Sequence, residues 1–283
     1  MSKIFITADS TFDLPQEIMK EYGVTDEQII RTGIVFGTDM KMDGIDALPE
    51  DVYKSVEKDN VMPKSNAANE EEYRELFEKN KDSKFHIHIN VGNKLSASHG
   101  SAKRAAEGLK NVHVVDSRTL SSGTGILAIY ARMFANEGLK GEEVVKKITE
   151  MAYKGQTSFV IDSLKYLHKG GRVSGLKLLG ANLLRIHPEL RVDSEGALVP
   201  GKKFKGNFTK VCKEYTRHIL NSNPSADKRV VMVTYTQIDS SIPNEMEREL
   251  KAAGFETVYQ TMAGSVITCH CGRSTIGILF INK

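Results

Sequence analysis

Phe85-His-Ile-His-Ile-Asn-Val-Gly-Asn-Lys-Leu-Ser-Ala-Ser-His-Gly-Ser101 joins a strong strand, Phe85 to Val91, to a loop of small hydroxyl residues. The loop runs into a helix read from Ala102 to Leu109. Backbone N–H groups at such a helix start favour a carboxylate or phosphate. The same unit recurs upstream, where the β-rich run Lys3 to Ala8 ends at Asp9-Ser10-Thr11 before a helical pattern from Leu14 to Tyr22, closed by Gly23. It recurs downstream, where Val112 to Val115 ends at Asp116-Ser117 ahead of a glycine-punctuated helix from Ser121 to Glu137, with Gly138 as its C-cap. Short strands alternating with helices predict an α/β fold built on a largely parallel sheet with helices on both faces. A helix from Glu142 to Tyr153 completes an N-terminal α/β domain over residues 1–155.

Beyond Gly155 the pattern changes. Thr157 to Ile161 reads as a strand, Ser163 to His168 as a short helix, and Lys169-Gly-Gly-Arg172 as a tight turn that projects a guanidinium. Ser194-Glu-Gly196 marks a hairpin, and Phe208 to Leu220 a helix. Val230 to Thr234, Thr257 to Gln260 and Ile276 to Ile281 are strands, with a helix from Pro243 to Ala252 after the first. Residues 156–283 are therefore expected to form a C-terminal α/β domain with a mixed sheet. The apolar run Leu176 to Ile186 reads as a buried segment.

The 283 residues are 40% hydrophobic and 27% charged, as in an ordinary globular protein. A net charge of +3 gives no global field to draw the chain to nucleic acid. Met1 to Ala8 reads as a strand rather than a signal peptide, and no apolar run is long enough to span a bilayer. Three cysteines without a spaced framework fit a reducing compartment, so the expected location is cytoplasmic.

The terminal stretch Ala263-Gly-Ser-Val-Ile-Thr-Cys-His-Cys-Gly-Arg-Ser-Thr-Ile-Gly-Ile-Leu-Phe280 reads as two apolar strands around a turn. That reading sets His270 at the mouth of a strand, with Cys269 and Cys271 on opposite faces. Such a ring serves packing, an anion, a metal or a proton in transit. Among the other candidates, Asp9 or Thr11 caps the first helix, and Asn66 or Asn69 caps the helix Glu70 to Asn80. His86 and His88 share one side of a strand but lack further ligands at metal spacing. There is no Walker loop, no G-x-G-x-x-G after a strand, no H-E-x-x-H and no G-x-S-x-G elbow.

Taken together, Asp9-Ser-Thr-x-Asp13, the Ser65-Asn66 loop, Leu95-Ser-Ala-Ser98, Val115-Asp-Ser117, Ser122-Gly-Thr-Gly125, Leu164-x-Tyr-Leu-x-Lys-Gly-Gly-Arg-Val-Ser174 and His270-x-Gly-x-x-x-x-Gly-Ile-x-Phe280 resemble the DegV family from end to end. The resemblance implies a bacterial, cytoplasmic protein that buries one long-chain fatty acid between its domains. It implies a lipid-binding subunit rather than an enzyme, one that presents the carboxylate to a separate ATP-binding fatty acid kinase subunit. The product would be an acyl phosphate for phospholipid synthesis. It further implies that Ser65, Ser96, Ala97 and His270 hold the carboxylate, with Arg172 and Lys205 near it or on the partner surface. No cofactor and no metal are implied, and contact with a membrane surface would be transient. Four departures bear on the site: Ser65-Asn-Ala-Ala-Asn69 stands for the family's Thr-Ser-Gln-Pro-Ser, Leu95-Ser-Ala-Ser98 for Leu-Ser-Gly-Thr, His187-Pro188 for Lys-Pro, and Lys205 for a later arginine. The alternatives are a hydrolase or transferase using His270 and a serine, and a lipid carrier that meets no kinase.

Overall fold

The computed structural model describes residues 4–173 and 186–283. Four strands form a wholly parallel sheet in the order Ile29–Ile30, Ile4–Asp9, Phe85–Asn90 and Val112–Asp116. Side-chain alternation separates its two faces. Ile4, Ile6, Ala8, Ile87 and Ile89 join the cluster built by helices Ser122–Asn136 and Gly141–Ala152. Thr7, His86 and His88 face the other way, toward helix Glu70–Lys79. There Thr7 Oγ1 lies 2.8 Å from both His86 Nε2 and His88 Nδ1, and the Phe77 ring meets both imidazoles edge-on. These two histidines are thus packed core residues.

Six strands form the mixed sheet, in the order Leu198–Lys205, Ile186–Val192, Gly155–Ile161, Thr275–Asn282, Ala226–Tyr235 and Thr257–Met262. All neighbours are antiparallel except the last pair. Helices Phe208–Ser222 and Ser241–Ala252 cover one face. Helix Ser122–Asn136 reaches the other, because the cluster it builds continues into Val230, Met232, Leu279 and Ile281. A helix wedged between two sheets is buried nearly all round, which explains its run of apolar and small residues. At Gly125 a Cβ would fall 2.6 Å from Leu14 Cδ2 and 2.8 Å from the Phe12 carbonyl, so glycine lets the turn after the first strand press onto the helix. A third, small antiparallel sheet orders Asp39–Met42, Gly33–Phe36 and Lys64–Asn66.

Several local expectations are corrected. Ser265–Cys271 is a helix, so His270 sits in a last helical turn and Cys269 and Cys271 are not on a strand. Ser65 lies on the edge strand Lys64–Asn66 rather than in a loop. The helix after Val91 runs over Ser98–Ala105, starting earlier than expected. Asp9 caps nothing: its buried carboxylate accepts from Tyr73 Oη at 2.6 Å, Asn90 Nδ2 at 3.1 Å and the Val91 N–H at 3.0 Å. A buried charge requires several donors, and these tie the ends of two neighbouring strands together. Asn69 does cap its helix, accepting from the Glu72 N–H. Residues 176–185 of the apolar run lie outside the described residues. Among the described residues, no helix is long and apolar enough to cross a membrane.

Candidate functional site

The loops that leave three parallel strands converge on one cavity of about 180 Å³. Thr11 follows the first strand, Val91 and Leu95 to Ser98 the third, and Leu120 the fourth. Ligands of open α/β sheets bind outside the carboxyl ends of strands in this way. Thr32, Ser65 and Ala67 come from the small sheet and its flank. The opposite wall is Phe159, Leu167, Leu198, Val266, Ile267 and Cys271, so most of the lining is apolar.

Ser65, Ser96, Ser98, Arg172 and His270 are among the cavity's polar lining residues. Ser65 Oγ lies 3.0 Å from His270 Nε2, across 205 positions of sequence. The other edge of the ring presses on Gly170, where an added Cβ would stand 2.5 Å from Nδ1. His270 Nδ1 has no hydrogen-bond partner among the described residues. Burial first, and then the nearby Arg172 charge, pull the imidazole down to about 4. A helix C-terminus favours a cationic histidine by about 0.3–1 kcal/mol, too little to offset that burial. The ring is therefore neutral near pH 7, with one N–H to donate.

Ser96 braces the turn into helix Ser98–Ala105 and lines the cavity. Its Oγ accepts the Ser98 N–H at 3.2 Å and lies 2.9 Å from Ser98 Oγ, while the residue borders the cavity. Ala97 is exposed at the start of helix Ser98–Ala105, also on the cavity wall. Arg172 follows Gly171, which ends helix Lys165–Gly170 in the left-handed conformation. Its guanidinium is exposed at the cavity, donating to the Gly170 carbonyl at 2.6 Å. The structure thus gathers Ser65, Ser96, Ala97, Arg172 and His270. Lys205 is not among the lining residues; it is exposed at the end of an outer strand, paired with Ile186.

Two buried carboxyls hold the short helix that carries His270. Asp13 accepts from the Gly264 N–H at 2.9 Å and from Ser121 Oγ. Asp43 accepts from the Ser265 N–H at 2.9 Å and from Ser10 Oγ at 2.8 Å. These satisfy N–H groups that a helix start leaves unpaired. Burial, reinforced by the neighbouring Asp43 charge, pushes Asp13 up to about 8 despite its two donors, and burial raises Asp43 as well. Sequence reading missed these anchors, along with Gly170, Phe159 and Ile267. Only Gly170 had a local signal, the paired glycines.

The family model described as "Uncharacterised protein, DegV family" matches residues 3–283. A DegV domain-containing protein of Caldanaerobacter subterraneus subsp. tengcongensis is 30% identical over 287 residues, with 100% of both chains covered. A fatty acid-binding protein of Thermotoga maritima is 27% identical, covering 97% of this chain and 96% of that one. The crystal structure of a DegV lipid binding protein from Thermotoga maritima superposes with a TM-score of 0.85 at 26% identity, over 100% of both chains.

Proposed function

This chain belongs to the DegV family, and from that premise we propose that it binds one long-chain fatty acid, with the acyl chain in the cavity and the carboxylate at Ser65, Ser96, Ala97 and His270. The acid would lie where an N-terminal unit, residues 1–155, meets a C-terminal unit, residues 156–283. The observation that carries this reading is a mostly apolar cavity whose lining brings the Ser65 hydroxyl within hydrogen-bond reach of the His270 imidazole. Each buried CH₂ contributes about 0.8 kcal/mol, so the tail supplies most of the affinity. The head group needs donors, because an unpaired buried carboxylate is costly. Ser65 and Ser96 offer hydroxyls, and His270 one N–H. A bound carboxylate raises the imidazole's pKa, opposing the burial that lowers it.

The second half of the proposal is presentation. Arg172 is exposed beside the head-group end, within reach of a protein docked over the mouth. That partner is a separate ATP-binding kinase subunit that phosphorylates the carboxylate, and this chain is not itself an enzyme. Lys205, away from the cavity, belongs to the docking face. A bacterial cytoplasmic setting and transient contact with a membrane surface complete the reading. Nucleophilic catalysis fits the same pair less well. His270 Nδ1 faces Gly170, where a base needs an orienting acid.

The test is uptake of labelled fatty acid by Ser96→Ala/His270→Ala beside the exposed control Lys251→Ala. The double variant is expected to lose uptake and the control to keep it; equal behaviour refutes the site. Adding a fatty acid kinase subunit and ATP to the loaded protein should yield acyl phosphate, and its absence refutes presentation.

A further inference from the structure

Behind the main cavity lies a second space of about 30 Å³. The two share Leu120, Phe159, Ile267 and Cys271, so these four side chains stand between them. Ala263, Gly277 and Leu279 border only the smaller one. Both spaces are bounded by atoms of the mixed sheet and of helix Ser265–Cys271, and the head-group end, Ser65, belongs only to the larger one.

The wall of the small chamber is apolar in spite of its sequence. Ser121 Oγ donates to Asp13, and Thr234 Oγ1 meets both Ser122 and Thr261. Thr236 Oγ1 accepts the Thr275 N–H at 3.0 Å, and Thr275 Oγ1 donates to the Cys271 carbonyl at 3.2 Å. These four hydroxyls are each engaged within the protein, which leaves the space an almost wholly apolar lining. Burial pushes the Cys271 thiol up to about 12, so the sulfur between the two spaces is a neutral, polarisable wall.

We infer that this chamber is the end of the acyl slot, and that it selects acids with a straight, unfunctionalised methyl end and sets their maximum length through Ala263 and Ile267. The inference rests on the fatty-acid reading above. A space of 30 Å³ has room for about two water-sized groups, hence for the last two or so carbons of a chain. A hydroxyl delivered there finds apolar wall and engaged partners, and is left unsatisfied. Valine at position 263 adds two methyl groups to a wall residue that is 2% exposed, enough to fill the chamber. Alanine at position 267 removes bulk between the two spaces.

The experiment offers delipidated protein an equimolar ladder of straight saturated acids, from decanoic to eicosanoic, and reads the bound set by native mass spectrometry. Thermal unfolding confirms that each variant is folded. The wild type should show a sharp upper length limit, which Ala263→Val lowers by about two carbons at full occupancy. Ile267→Ala should raise it, and this reads the chamber even if the valine variant does not fold. A terminal hydroxyl on the preferred acid should weaken wild-type binding about tenfold or more. Full occupancy with one unchanged limit in the folded variants, or equal binding of the hydroxylated acid, overturns the chamber assignment and leaves fatty-acid binding standing. No acid bound by the wild type overturns both.

Discussion

Gly170→Ala isolates the geometry that places the head-group histidine. The ring of His270 is held between Gly170 on its Nδ1 side and Ser65 on its Nε2 side. The new Cβ would stand 2.5 Å from Nδ1, about 0.9 Å short of the 3.4 Å at which ordinary contact begins. Pushed straight back by that much, Nε2 would collide with Ser65 Oγ, now 3.0 Å away. The ring must instead swing aside, and its N–H no longer meets a carboxylate beside Ser65. A hydrogen bond to a charged group is worth about 1.5–3 kcal/mol, so fatty-acid affinity should fall about tenfold to a hundredfold. Stability should hold. Gly170 does not have a positive φ, so alanine fits its backbone and gains about 0.4–1 kcal/mol from the unfolded chain, against the strain of the displaced ring. The assay is titration with a fluorescent long-chain acid, paired with urea unfolding. In a His270→Ala background the ring is gone, and Gly170→Ala should then change affinity by less than about 0.5 kcal/mol. Undiminished affinity in the single variant, or an equal loss in both backgrounds, would refute the reasoning.

Three further predictions concern the scaffold of the site. His270 titrates near 4 in the folded protein against an ordinary 6.5, so the unfolded chain binds the proton first as pH falls. His270's contribution to stability is therefore complete above about 6.5 and is lost toward 4, and relative to the wild type His270→Gln should recover up to about 3 kcal/mol of stability at the acid end of this range in urea titrations. His86, pulled to about 3 by burial and its histidine neighbours, should leave part of the acid limb in place. Asp13 shows the opposite sign: ionising near 8 when folded and near 3.8 when unfolded, it makes stability fall as pH rises through that window, and Asp13→Asn should flatten the fall. Asp43→Ala strands the Ser10 hydroxyl and the Ser265 N–H, and should cost about 2–4 kcal/mol in unfolding experiments and weaken uptake.

The alternating strands and helices of the first half could be read directly, because each strand and its following helix are local in sequence. So could the polar turns that end those strands, since small residues at a helix start have a local cause. The helix carrying His270 could not. Val266, Ile267 and Thr268 are β-branched and suggest a strand, whereas its start is held by Asp13 and Asp43, 251 and 222 positions away. Tertiary anchoring overrides propensity there. The pairing of Ser65 with His270 has the same long-range origin and could be named only through family resemblance. Lys205 marks the limit of that transfer: its position in the motif order was legible, but the strand bearing it ends away from the cavity. The small chamber had no sequence signal, since its serines and threonines conceal an apolar wall.

The proposed function requires this protein to hold one fatty acid. Native mass spectrometry of the purified chain, followed by lipid extraction and mass analysis of the extract, tests it most directly. One long-chain fatty acid per chain, recovered from more than one expression host, is the predicted result. Protein that is lipid-free from every host, and that stays empty when offered fatty acids, contradicts it.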